Sequence, residues 1–170
     1  RHHTMDCYIK TKEAITTNQT KDEVCVLNYE DEVLRAFGES APVHVVWFSS
    51  ARKLAEGFYL DGEEIFYAHD GNTEKVINVN DLNLLGRHNY ENVMAATAMS
   101  VNFGVPMEKI VEVLKRFQAV EHRIEYVTEK RGVRFYNDSK GTNPDAAIQG
   151  IRAMNRPTLL IGGGYHKPST

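Results

Sequence analysis

Cysteine is scarce in this 170-residue chain. Cys7 and Cys25 are the only two, they form no CxxC pair, and neither a disulfide framework nor a zinc knuckle is expected. No apolar run approaches the ~18 residues of a membrane span, and no signal-peptide pattern precedes Arg1, so a reducing cytoplasm is the expected compartment and no membrane partner is expected. A GxxxxGK[ST] phosphate loop is missing, so the chain carries no triphosphate cradle of its own. Internal repeats and low-complexity tracts are absent as well. Net charge is only −3, against a general nucleic-acid binder, and the 42% hydrophobic and 25% charged fractions are those of a soluble globular protein. That charge is uneven. Residues 1–120 hold 12 Lys and Arg against 18 Asp and Glu, whereas residues 121–170 hold 8 against 5.

What is present reads as α/β. Met5, Tyr8, Ile9, Lys12 and Ile15 recur near helical spacing over Thr4 to Thr17. Val24 to Asn28 is a short apolar strand, expected to be parallel and buried on both faces, and Val43 to Phe48 is another strand. Between them Asp31 to Phe37 is predicted as a short helix stopped by Gly38. Gly57 to Leu60 and Glu64 to Tyr67 flank an Asp61-Gly62 turn, a hairpin signal, and Lys75 to Val79 adds a third strand to that small antiparallel sheet. A long helix follows to about Phe103, then another behind Pro106. Residues 118–122 are the natural hinge, which gives domains of 1–120 and 121–170. Beyond it comes a hairpin across Lys130-Arg131-Gly132. A strand, helix and strand then run through Phe135-Tyr136-Asn137 and Asn143-Pro144 to Thr158–Ile161. That spacing is a βαβ unit, whose parallel strands end on one edge of the sheet, where open α/β sheets bind ligands.

Both loops on that edge carry a lysine. In Asn137-Asp138-Ser139-Lys140-Gly141-Thr142-Asn143, Asn143 caps the helix, Pro144 fits its first position and Asp145 complements its dipole. Lys140, the Thr142 hydroxyl and the free N–H groups together suit a carboxylate or phosphate. A plainly capped βα loop is the other reading. Gly162-Gly163-Gly164, followed by Lys167, has the same logic or is a flexible turn. Asn89 and Asn92, three apart at the start of the long helix, offer paired amides that suit a nucleobase edge, unless Asn89 caps and Asn92 is solvated. Arg123 at the hinge suits a phosphate or ribose, or a surface ion pair. Asp138 at a strand end suits ribose hydroxyls. Lys12 shares a stripe with Tyr8 and Ile15, an unusual place for a cation unless its stem snorkels. His2 and His3 are adjacent and point apart, a poor start for a metal site.

In order along the chain, Arg1 to Lys12, Val26-Leu27-Asn28-Tyr29, Gly86-Arg87-His88-Asn89-Tyr90-Glu91-Asn92, His122-Arg123, Asn137 to Asn143 and Leu160 to Gly164 resemble the Mur ligases. The likeness is greatest to the branch that adds D-glutamate to UDP-N-acetylmuramoyl-L-alanine. It implies an ATP-dependent, Mg²⁺-requiring, amide-forming enzyme of peptidoglycan synthesis that works through an acyl phosphate. It implies that residues 1–120 are the second half of a central ATPase domain and 121–170 the start of a Rossmann-like domain. Position by position it implies Lys12, carbamylated, at Mg²⁺; Asn89 and Asn92 at adenine; and Arg123 and Asp138 at ribose and phosphates. Lys140 and Thr142 would stand near the acyl phosphate and D-glutamate, with Lys167 at the amino-acid carboxylate. A departure is His166, where an acidic residue commonly precedes the Lys167 position. The family's Gly-rich loop and acidic metal ligand are not found, and the expectation is a piece of a longer, monomeric enzyme, inactive alone. The competing expectations are another Mur ligase, a folylpolyglutamate synthase, or a non-catalytic nucleotide- or anion-binding module.

Overall fold

A computed structural model describes residues 4–164 and divides the chain into two compact units, Arg1–Gln118 and Ala119–Thr170. In the first unit, α1 (Met5–Glu13) opens at Thr4, whose hydroxyl accepts the Cys7 N–H, and passes into a 3-10 turn at Ala14–Thr16. Five strands form one sheet in sequence order: β1 (Val24–Asn28), β2 (His44–Ser49), β3 (Gly57–Asp61), β4 (Glu64–His69) and β5 (Asn72–Asn78). The parallel β1–β2 pair and the antiparallel β3–β4–β5 meander are continuous, because the end of β2 pairs with the start of β3 through Phe48–Phe58 and Ser49–Tyr59. That overlap is only two residues long, so the strands succeed one another almost end to end. A short link therefore replaces the long crossover that parallel neighbours ordinarily need. Gly57 makes the junction possible. Its φ is +111°, and a Cβ there would stand 2.3 Å from the Trp47 carbonyl oxygen.

Side chains alternate across the sheet. Cys25, Leu27, Val45 and Trp47 face α2 (Glu32–Ser40), packing with Leu34 and Phe37. The long helix α3 (Arg87–Asn102) runs along β1, β2 and β3 and buries Val93, Met94, Thr97 and Ala98. α4 (Met107–Arg116) adds the buried Ile110. Two sequence expectations change in this unit. α2 does not stop at Gly38 but runs on to Ser40, because the missing side chain lets the helix lie against the Trp47 ring. No residue of α1 is buried, so Lys12 is not on an interior stripe. Tyr8 and Ile15 are exposed, and the Lys12 ammonium stands over the Tyr8 ring at 5.5 Å, a surface cation–π contact.

The second unit holds the hairpin β6 (Glu125–Lys130) and β7 (Val133–Asn137), followed by α5 (Pro144–Arg152). The Asn143 side chain accepts the Ala146 N–H at 2.8 Å and Pro144 takes the first turn, as the local sequence predicts. The predicted strand at Thr158–Ile161 does not form. Those residues have no ladder partner, and Leu159 and Ile161 are 88% and 89% exposed. A parallel strand needs cover on both faces to hold its ladder against water, and α5 is the one helix this unit describes. The βαβ unit is therefore incomplete among the described residues.

Candidate functional site

Two polar clusters carry the candidate residues, one in each unit. In the second unit, Arg123 lies between two non-glycine residues in left-handed conformation, His122 (φ +68°) and Ile124 (φ +46°). Such backbone costs of order 1–3 kcal/mol per residue and persists only where its surroundings impose it. Three hydrogen bonds impose it, two from the loop after β7 and one from the first residue of β6. The Asp138 carboxylate accepts the Ile124 N–H at 3.1 Å, the His122 carbonyl accepts the Lys140 N–H at 2.9 Å, and the His122 N–H donates to Glu125 Oε2 at 2.8 Å. His122 Nδ1 also stands 2.8 Å from the Asn137 amide nitrogen. Four predicted residues (Arg123, Asp138, Lys140 and Thr142) are thus brought into one knot of backbone. The Arg123, Lys140 and Thr142 side chains are exposed, beside the N-terminus of α5. Asp138 is half-buried, with one oxygen committed to Ile124. Lys167, and with it the side-by-side placement of two lysine loops, lies outside the described residues, as do His166, His2 and His3.

In the first unit the cluster sits past the carboxyl ends of β1 and β2. Ser49, with no exposed surface, donates to Glu30 Oε1 at 2.6 Å and accepts the Ala51 and Arg52 N–H groups. Arg52 closes a two-pronged pair with Glu30 at 2.9 and 2.8 Å. Held by the Arg52 hydrogen bonds and then by the Ser49 hydroxyl, the Glu30 carboxyl titrates below its ordinary range. Next to it, the Ser50 hydroxyl donates to Glu91 and the Ser50 carbonyl accepts from Arg87, both on α3. Sequence spacing gave no sign of Glu30, Ser49, Ser50 or Arg52, because they converge only when the sheet forms.

The predicted amide pair on α3 is resolved unequally. The helix begins two residues before Asn89, with Gly86 as its cap. Asn89 therefore falls inside the first turn, 7% exposed, and its amide donates back to the Leu85 carbonyl at 2.7 Å. Asn92 stays exposed. Among the described residues no group of three or more His, Cys, Asp or Glu is placed to hold a metal ion. Lys12, an ammonium over an aromatic ring, offers no oxygen to Mg²⁺. The described residues as they stand do not make a magnesium site.

The Mur ligase middle-domain family matches residues 1–100. Over 169 residues the chain is 58% identical to the UDP-N-acetylmuramoylalanine–D-glutamate ligase of Lachnospira eligens, covering 99% of this chain and 38% of that protein. It is 55% identical to the ligase of the same name from Lachnoclostridium phytofermentans, covering 99% and 37%. The chain thus spans about 38% of the length of the curated relatives it matches. Among solved structures, the UDP-N-acetylmuramoylalanyl-D-glutamyl-2,6-diaminopimelate–D-alanyl-D-alanyl ligase of Acinetobacter baumannii has a similar fold. The TM-score is 0.66 at 20% identity, over 88% of this chain and 34% of that one. With more than half of its residues inside the family's middle domain, and with the mixed sheet to match, this chain belongs to the Mur ligases.

Proposed function

We propose that this chain is part of an ATP-dependent ligase that joins D-glutamate to UDP-N-acetylmuramoyl-L-alanine, a cytoplasmic step of peptidoglycan synthesis that serves cell shape and division. What carries the reading is the 58% identity, over 99% of the chain, to a relative named for that reaction. The substrate carboxylate would attack the γ-phosphorus of ATP, ADP would leave, and the D-glutamate amine would then displace phosphate from the acyl phosphate. Negative charge spreads over the transferring phosphoryl oxygens, so fixed cations are what this chemistry asks of a protein.

The geometry supports several of the roles. Arg123 and Lys140 are exposed cations tied to one another through the His122–Lys140 backbone bond, and Thr142 adds a hydroxyl beside them. Asp138 is assigned to the ribose by the family resemblance; one of its oxygens holds the Arg123 turn and the other lies against Gly150 of α5. Asn92 is the amide free to meet adenine; Asn89 supports it from within the first turn. Lys167 would take the amino-acid carboxylate. Conversion of Lys12 to a carbamate by CO₂ would replace its cation with the oxygen ligand that Mg²⁺ prefers.

The test is phosphate release by the full-length protein with ATP, Mg²⁺, UDP-N-acetylmuramoyl-L-alanine and one amino acid at a time. D-Glutamate should support turnover. If L-lysine, diaminopimelate or L-alanine does so and D-glutamate does not, the substrate assignment is wrong.

A further inference from the structure

Arg87 and Glu91 lie four residues apart and so project from one face of α3. Both end on Ser50, which is 4% exposed: Arg87 donates to its carbonyl and Glu91 accepts from its hydroxyl. Two bonds from different turns of a helix to a single residue fix the helix's rotation about its own axis as well as its position. One bond would fix the position alone. Ser50 is itself anchored, because the neighbouring Ser49 is locked beneath Glu30, Ala51 and Arg52. Asn92 is the next residue after Glu91, about 100° further round the helix. Its direction is therefore set by the phase in which Ser50 holds α3.

We infer that Ser50, Arg87 and Glu91 form a rotational clamp that aims Asn92 at the nucleobase, making all three positioning residues for ATP. The inference rests on the adenine role proposed above for Asn92 and adds what orients it. A clamp of this kind acts on nucleotide binding and leaves the phosphoryl-transfer groups of the second unit untouched. Losing it should raise the KM for ATP with little change in kcat. The carboxylate of Glu91 works as an acceptor, so a glutamine, which keeps an acceptor oxygen at the same reach, should preserve the clamp.

The experiment compares the full-length wild type with Ser50→Ala, Glu91→Ala, Glu91→Gln and Ile110→Val, the last a buried change on α4 that alters none of the clamp's hydrogen bonds. KM for ATP, KM for D-glutamate, kcat and melting temperature are measured for each. Expected are a roughly tenfold rise in the KM for ATP for Ser50→Ala and Glu91→Ala, an unchanged KM for D-glutamate, and restoration in Glu91→Gln. One lost net hydrogen bond of about 1–1.5 kcal/mol corresponds to that factor. If Ile110→Val raises the KM for ATP as much at a matched loss of melting temperature, the effect is general loosening and the clamp is refuted. An unchanged KM for ATP in the alanine variants refutes it too, while the ligase reading stands. If the wild type shows no ATP-dependent turnover at all, both fall together.

Discussion

At the residue scale, Glu30 shows how a side chain without any motif can organise the end of a sheet. Its carboxyl is held below the ordinary value of 4.5, chiefly by the Arg52 guanidinium and next by the Ser49 hydroxyl. A folded-state pKa below the unfolded one means a stabilising contribution that is complete above the unfolded value and disappears as pH falls through the folded value. Glu30→Gln should therefore lower the melting temperature at neutral pH, and the gap to wild type should close on acidification below about pH 4. A gap that persists in acid would mean that the charge on Glu30 is not what holds Ser49 and Arg52. Single positions were legible where the interaction is local. Asn143, Pro144 and Asp145 announce a helix start because cap and helix are neighbours in sequence. Lys12 was not legible, because whether a helical stripe is buried depends on what packs against it.

At the scale of elements, the strands and helices of the first unit could largely be read from periodicity, whereas the strand expected at Thr158–Ile161 does not form. The Asp61-Gly62 turn located the β3–β4 hairpin, whose register runs from Gly57–Ala68 to Asp61–Glu64. The β2–β3 junction could not be read. It rests on a two-residue overlap and on one glycine that clears a carbonyl oxygen, and neither leaves a periodic trace. Gly38 is the same kind of case. In sequence it looks like a helix stop, and in space it is a contact point for Trp47. A Cβ there would lie 2.4 Å from Trp47 Cη2 and 3.0 Å from Leu27 Cδ1. Alanine would gain ~1 kcal/mol of helix propensity, but overpacking a rigid ring costs about 1–3 kcal/mol. The clash should win. Gly38→Ala is expected to be less stable by about 1 kcal/mol on these terms and to shift the emission of Trp47, the sole tryptophan. A more stable variant with unchanged emission would show that the ring moves aside freely.

At the scale of the whole molecule, the chain holds two compact units, each with its own sheet. Trp47 belongs to the first, so its fluorescence reports that unit alone, whereas circular dichroism reports both. Denaturant titration of the 170-residue chain should give non-coincident transitions by the two probes, the signature of a departure from two-state behaviour. Coincident curves would mean that the units unfold as one. The candidate site was legible to the same degree as the units. The residues that face solvent and carry charge could be nominated from sequence. The groups that hold the neighbours of those residues (Ser50 against Glu91, Asp138 against Ile124) emerge only when distant segments meet. The hairpin has a broader consequence. Among the described residues both outer edges of β6 and β7 are unladdered, and Val127, Val133 and Phe135 look outward. A two-stranded ladder with open edges and outward apolar side chains is a template on which further strands or a covering helix can add.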